Sequence, residues 1–269
     1  MGFLTPHFIR RPMGDPDESR KMQERLLRSE RDNRYLRKDS DQRKVMEEVF
    51  DRATLLTIEG LIARKEIGDL NGVVRAGKEA RVYWGVDQSG GPVAVKIYLV
   101  SSSDFRKRMG YIAGDRRFGN LPSGSREIIN LWVRKEFKNL QLADSAGVRV
   151  PKPIAFHKNV LIMEYIGSPP EPAPIFAETE VDEEDYDWTF EMITHLHNKA
   201  KLVHADLSEF NVFKTDHEKV LFDMGSAVLT SHPQADEFLR RDVNNMVRFF
   251  RKRGIIKEDT EYWMGKLSS

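Results

Sequence analysis

Residues 167–174 read Gly-Ser-Pro-Pro-Glu-Pro-Ala-Pro, and no helix or sheet interior can pass through them. Proline lacks an amide hydrogen and fixes φ at roughly −65°, so Pro169, Pro170, Pro172 and Pro174 offer no donors to a ladder. The 269-residue chain is therefore read as two parts, ending at 166 and beginning at 167, each of which must bury apolar surface. That length suits one two-lobed unit at roughly 100–200 residues per domain. Hydrophobic residues make up 40% and charged residues 32%, a globular balance with a charged surface. With 43 Lys and Arg against 42 Asp and Glu, a wholesale nucleic-acid coat is not expected. The lack of cysteine excludes disulfides, thiolate metal sites and a cysteine nucleophile. No apolar run approaches the roughly 18 residues of a spanning helix, and the first residues lack the apolar core of a secretory signal. Pro6 stands where a myristoylation motif takes Ser or Thr. A cytoplasmic protein with no membrane partner is expected.

Within the first part the character changes twice. Residues 20–44 carry ten Lys and Arg against five acids, with few apolar anchors, which marks 1–44 as a basic arm. From 45 onward Leu55, Ile58 and Ile62 recur at helical spacing. The period then becomes two: Val82, Trp84 and Val86 alternate, a turn cluster follows at 87–91, and Val93 to Tyr98 continue as a partner strand, which predicts an antiparallel hairpin over 80–98. The Gly- and Arg-rich stretch 101–125, with Arg106, Lys107, Arg108, Arg116 and Arg117, reads as a long flexible loop. A helix is predicted over about 126–143, then strands at 148–156 and 160–166. After the proline segment come an acidic run at 178–187, a helix to about 200, short strands around Val212 and Leu221, and a last helix over about 234–252 ended by Gly254.

Three separated pieces carry chemistry. Val93-Ala94-Val95-Lys96 places a lysine on a strand after a glycine-bearing hairpin. His204-Ala205-Asp206-Leu207-Ser208-Glu209-Phe210-Asn211 has the spacing H-x-D-x-x-x-x-N, and Asp223-Met224-Gly225 follows. The order matches the protein-kinase signature of strand lysine, catalytic-loop Asp and Asn, and metal-binding D-x-G. Phosphoryl transfer asks mainly for positioning and charge neutralisation. Lys96 supplies a point charge for phosphates, Asn211 and Asp223 are hard oxygen donors for Mg²⁺, and Asp206 can accept the proton of an attacking hydroxyl. The strand lysine also needs a carboxylate partner. Ile129, Trp132, Val133, Glu136 and Leu140 form one helical stripe, so Glu136 faces the core and must be paired there. Glu127, one turn nearer the loop and off the stripe, is the second choice. Lys135 and Lys138 fall outside the stripe.

Gly72 to Glu79 nearly spells a Walker A motif, but Glu79 lacks the Mg²⁺-binding hydroxyl and the following residues alternate as a strand. The triple-glycine loop of ordinary kinases is also missing. The reading is a reduced phosphate-covering hairpin with backbone N–H groups at Gly77, Lys78, Glu79 and Ala80.

The segments 76–83, 94–98, 204–211 and 238–243 resemble the RIO family of atypical serine/threonine kinases, and its first subfamily, without a winged-helix domain, fits best. The resemblance covers roughly 50–253. It implies an α+β, two-lobed protein-kinase-like fold, with a small antiparallel-sheet N-lobe over 45–166 and a reduced, mostly helical C-lobe over 167–269. It implies ATP and Mg²⁺ or Mn²⁺, autophosphorylation, a flexible loop, and maturation of the small ribosomal subunit with its pre-ribosomal particle as partner. Residue by residue, Lys96 would contact phosphates and Asp206 would accept the proton. Asn211 and Asp223 would hold metal, Asp223 being also a candidate phosphate acceptor, and backbone at Glu164 and Ile166 would hold adenine. Ala76 departs from a position that is often Thr in the family.

No A-P-E motif follows Gly225, so a platform for peptide substrates is missing. That leaves two alternatives. One is a nucleotide-gated ribosome assembly factor supported by the basic arm and the basic helix at 240–253. The other is a small-molecule kinase with an acceptor pocket lined by 178–187. His195 and His197, two apart on a helix, make a poor zinc pair, and Trp188, Met192 and Leu196 read as core. His204 reads as a loop anchor. The serines open to autophosphorylation are Ser101, Ser102, Ser103, Ser123 and Ser125.

Overall fold

A computed structural model describes residues 50–100, 108–119 and 122–268. The basic arm 1–44 and Ser101 to Ser103 lie outside the described residues. Helix α1 spans Arg52–Ala63 and is capped by Asp51, whose carboxylate accepts the Thr54 N–H at 2.9 Å. Its buried face is Thr54, Thr57, Ile58 and Leu61, while Ile62 is exposed. That face is turned from the expected one because the threonines bury with their hydroxyls satisfied. Thr57 Oγ1 donates to the Ala53 carbonyl, and Thr54 Oγ1 accepts from Asn159.

Five strands follow: β1 (Asp69–Ala76), β2 (Ala80–Val86), β3 (Pro92–Tyr98), β4 (Pro153–His157) and β5 (Val160–Glu164). They form one antiparallel sheet in the order β1-β2-β3-β5-β4. The hairpin of β2 and β3 matches the expectation, whereas β1 occupies the stretch that resembled a phosphate loop. Alternation along β3 sends Val93, Val95 and Ile97 into a core shared with α1 and leaves Ala94, Lys96 and Tyr98 on the opposite face. There lies α2 (Ser125–Ser145), which buries Ile128, Ile129, Trp132, Val133, Lys135, Glu136, Asn139, Leu140 and Ala143. Lys135 therefore belongs to the buried face. Its side chain is fully covered because two carbonyl groups accept its protons, as described below.

Residues 108–119 are more ordered than their composition suggests. Ile112 and Phe118 join the main core. Asp115 is buried beneath Arg117, which grips its carboxylate through both Nε and Nη2. The His232 Nε2 atom lies 2.9 Å from the Ala113 carbonyl and 3.1 Å from that of Gly110.

The proline segment makes a two-stranded ribbon, β6 (Gly167–Ser168) with β7 (Glu171–Pro172). A 3-10 turn at Phe176–Glu178 leads to α3 (Glu183–Asn198), which a capping box between Asp182 and Asp185 opens. Two small ribbons follow, β8 (Leu202–Val203) with β11 (Val228–Leu229) and β9 (Val212–Lys214) with β10 (Lys219–Leu221). Helix α4 spans Ala235–Lys252 and stops at Gly254, whose φ of +84° suits glycine. A further helix, α5 (Thr260–Ser268), packs Trp263 flat on Phe190 at 4.4 Å between ring centres, so α4 is not the last helix. The architecture is α+β: an antiparallel sheet with α1 and α2, then a mostly helical part. Among the described residues no helix is long and apolar enough to cross a membrane.

Candidate active site

The face of β3 that carries Ala94, Lys96 and Tyr98 and the short ribbons of the helical part line a cleft of about 550 Å³. Lys96 lies at its floor. Lys96 Nζ is 2.8 Å from Glu136 Oε1 and 2.8 Å from Asp223 Oδ1. Glu136, and not Glu127, is thus the carboxylate of α2 that reaches it. Glu136 is 1% exposed, and the Tyr98 hydroxyl donates to its second oxygen. Burial works against charge on Lys96, but Asp223 and Glu136 outweigh it and hold the ammonium well above the ordinary lysine value. Lys96 in turn pulls the Asp223 carboxyl down to about 2, against burial.

Asp223 sits at φ +64°, an uncommon backbone for a residue with a Cβ, and the loop after it is pinned from α2. Lys135 Nζ donates to the carbonyls of Gly225 at 2.8 Å and Ala227 at 2.5 Å, and Asn139 Nδ2 donates to those of Met224 and Ala227, both at 2.8 Å. Gly225 is required by space. A Cβ there would come within 2.9 Å of the buried Trp132 indole nitrogen.

The loop carrying Asp206 is anchored from α4. Buried Asp242 accepts the N–H of Ala205 at 2.7 Å and of Leu207 at 2.9 Å, bracketing Asp206. Ala205 also has positive φ, +64°, and its carbonyl accepts from Arg241. His204 acts as the expected loop anchor, with Nε2 3.0 Å from the Phe222 carbonyl. Phe222 N–H donates to the Asn211 carbonyl at 2.9 Å, which ties the two loops together. Burial by the surrounding loops, more than any charge, raises the Asp206 carboxyl above its ordinary value, with Asp223 adding to the effect and His204, Arg108 and Arg241 opposing it.

The Asn211 amide oxygen accepts from Ser208 Oγ at 2.9 Å, and both Asn211 and Asp223 line the cleft. Among the described residues no group of three or more His, Asp or Glu could hold a metal alone. One ionised carboxylate and one amide oxygen suit Mg²⁺, which takes few protein ligands and completes its shell with phosphate and water.

The hairpin turn at 77–79 lines the cleft. Gly77 N–H donates to the Ala80 carbonyl at 2.9 Å and is committed to the turn, and a Cβ at Gly77 would meet that same oxygen. Lys78, Glu79 and Ala80 line the cleft beside it. Glu164 and Ile166 line the cleft. The Glu164 side chain is held by Arg149 at 2.8 and 2.9 Å, and its backbone N–H donates to the Lys152 carbonyl at 2.9 Å.

Lys135, Asn139, Asp242 and Arg108 escaped the sequence reading as site residues. For the first two a signal existed, since Ile128, Trp132, Lys135 and Asn139 recur at helical spacing and their polarity alone disguised a buried stripe. Of the acidic run, Asp185 is buried against Lys214 and Lys219, and only Glu178 reaches the cleft. The run is therefore used structurally.

A family model for the RIO domain matches residues 81–263. The RIO-type serine/threonine-protein kinase Rio1 of Haloferax volcanii is 43% identical over 240 residues, which are 88% of this chain and 82% of that one. The Methanocaldococcus jannaschii Rio1 is 37% identical over 256 residues, 92% of this chain and 84% of the relative. The human serine/threonine-protein kinase RIO1 is 34% identical over 227 residues, 82% of this chain and 40% of that longer protein. Among solved structures, the Rio2 kinase of Chaetomium thermophilum, as an ADP/Mg²⁺-phosphoaspartate complex, superposes with a TM-score of 0.60 at 20% identity, over 79% of this chain and 65% of its own. The two-part architecture is thus that of a protein-kinase-like fold, and the chain belongs to the RIO domain family, on its Rio1 side.

Proposed function

We propose that this chain is an ATP- and divalent-metal-dependent atypical serine/threonine kinase that autophosphorylates and slowly hydrolyses ATP. The observation that carries the reading is Lys96 at 2.8 Å from both Glu136 and Asp223 on the floor of a cleft that Asn211 also lines. Its relatives are named serine/threonine-protein kinases, which supports the same chemistry.

In this reading the adenine edge lies against the backbone of Glu164 and Ile166, under the hairpin turn of Gly77, Lys78, Glu79 and Ala80. Lys96, fixed in orientation by Glu136, meets the phosphates. Asn211 and Asp223 hold Mg²⁺ or Mn²⁺, whose chemistry is to neutralise charge on the phosphates and orient them. Asp223 can do so at any physiological pH because Lys96 keeps it ionised. Asp206 takes the proton of the acceptor hydroxyl; burial raises its carboxyl above the ordinary aspartate value, which makes it a better base than an ordinary aspartate.

Between β11 and α4 only residues 230–234 intervene, so the described chain has no extended segment on which to lay a peptide. That favours slow turnover and self-modification over processing of many substrates. It also suits a nucleotide-gated role in small-subunit maturation on a pre-ribosomal particle in the cytoplasm, a role that rests on family resemblance. A small-molecule kinase is disfavoured, because Asp185 of the acidic run is occupied by Lys214 and Lys219.

Calorimetric titration with ATP and Mg²⁺ tests the reading. Lys96→Ala should weaken ATP binding, and Asp223→Ala should abolish the gain in affinity that Mg²⁺ gives. Wild-type affinity and unchanged metal dependence in both would remove the site from this cleft.

A further inference from the structure

Arg108 lines the cleft although it comes from the stretch that reads as a loop. Its guanidinium pairs with Glu79 of the hairpin turn, Nη2 to Oε2 at 2.7 Å and Nε to Oε1 at 3.0 Å. It lies over the Trp132 ring of α2 at 5.3 Å and lines the cleft together with Lys96, Asn211 and Asp223. Its charge reaches both carboxylates of the chemistry, lowering the pKa of Asp223 and of Asp206. A planar, permanently charged fork beside Lys96 suits bidentate contact with phosphate oxygens.

The mounting is firm. Residues 108–111 form one 3-10 turn. Tyr111 stacks on Phe238 of α4 at 5.2 Å, Ile112 is buried, and His232 meets the carbonyls of Gly110 and Ala113. A side chain presented from a turn locked to α4 is pre-organised, which a flexible loop would not provide.

We propose that Arg108 is a catalytic phosphate-binding residue, whose guanidinium exchanges the Glu79 carboxylate for the terminal phosphate of the bound nucleotide. Glu79 is then a competitor for the same cation: it holds Arg108 ready in the free protein and yields it when the more highly charged phosphate arrives. The inference rests on the ATP-site reading above, and it adds a cation that neither the signature motifs nor the catalytic loop supplies.

The test compares wild type, Arg108→Gln, Arg108→Lys and Glu79→Gln in calorimetric titrations with ATP, ADP and adenosine, with thermal unfolding alongside. Arg108→Gln should bind ATP about tenfold or more weakly, since a charged hydrogen bond of roughly 1.5–3 kcal/mol is lost. The loss should be smaller for ADP and absent for adenosine, and kcat should fall. Arg108→Lys should recover part of the ATP affinity, and Glu79→Gln should raise it by releasing the competitor. Unchanged ATP binding and kcat in Arg108→Gln, or equal losses for ATP, ADP and adenosine, would overturn the assignment. So would a Glu79→Gln variant that loses ATP affinity as Arg108→Gln does. A wild-type protein that binds none of the three would instead refute the ATP-site reading itself.

Discussion

Lys135 on α2 donates from Nζ to the carbonyl oxygen of Gly225 at 2.8 Å, across ninety residues of sequence. The helix that aims Glu136 at Lys96 thus also holds the loop that carries Asp223, so one element positions both carboxylates on Lys96. Burial, with Arg117 adding to it, brings the Lys135 pKa down to about 7. Between that value and the ordinary one near 10.5, the unfolded chain binds more protons than the native one, so stability rises with pH across this window. Wild type should gain about 3 kcal/mol relative to Lys135→Met between about pH 7 and about pH 9.5. Urea unfolding at both values reads it. Parallel pH dependence in the two proteins would contradict a buried, titrating Lys135.

Asp242 titrates in the opposite sense. Burial pushes its carboxyl up to about 6, although His204 and the N–H groups of Leu207 and Ala205 pull it down. From about pH 4 to about pH 6 the native carboxyl keeps a proton that the unfolded one has released, so this group makes stability fall as pH rises. Asp242→Asn cannot titrate and should remove a slope worth about 3 kcal/mol across that window. The same variant keeps only one acceptor for the two N–H groups that bracket Asp206, so turnover should drop with little change in ATP affinity. A variant with the wild-type slope from acid to neutral pH would show that Asp242 is ionised throughout.

Gly225→Ala tests the steric limit on the metal loop. Its Cβ would meet Trp132 at 2.9 Å, and Trp132 is wholly buried, so the loop rather than the indole must yield. A loss of about 1–3 kcal/mol in stability is expected, with weaker Mg²⁺ dependence of nucleotide binding. A variant as stable as wild type, with unchanged metal dependence, would mean that the contact relaxes freely.

How far sequence alone could reach follows from which contacts are local. Lys96, Asp206, Asn211 and Asp223 were legible because their spacing is fixed within short segments, and Glu136 because a carboxylate on an apolar stripe demands a partner. Strand β1 was hidden by the near-match of Gly72 to Glu79 to a phosphate loop. Helix α5 is nine residues long and buries only Trp263 and Leu267, too brief a pattern to read. The 108–119 segment has loop composition, and its order comes from His232 and Phe238, more than a hundred positions away, which no window along the chain contains. Lys135 and Asn139 look like surface residues until the carbonyls of 224–227 are placed against them.

Asp223 could itself receive phosphate, since metal-assisted transfer to a carboxylate gives an acyl phosphate. Protein incubated with labelled ATP should then carry label that hydroxylamine releases and that Asp223→Asn lacks. Label that resists hydroxylamine and persists in Asp223→Asn would place the phosphate on a hydroxyl, with Ser123 and Ser125 the exposed candidates among the described residues.

In the proposed function Asp206 serves as the base of an ATP-dependent phosphoryl transfer. Asp206→Asn preserves shape and removes the proton acceptor while leaving Lys96, Asn211 and Asp223 in place. Paired calorimetry and turnover with ATP and Mg²⁺ should find ATP affinity within about threefold of wild type and turnover lower by roughly 10²–10⁴. Full turnover in Asp206→Asn would contradict the account.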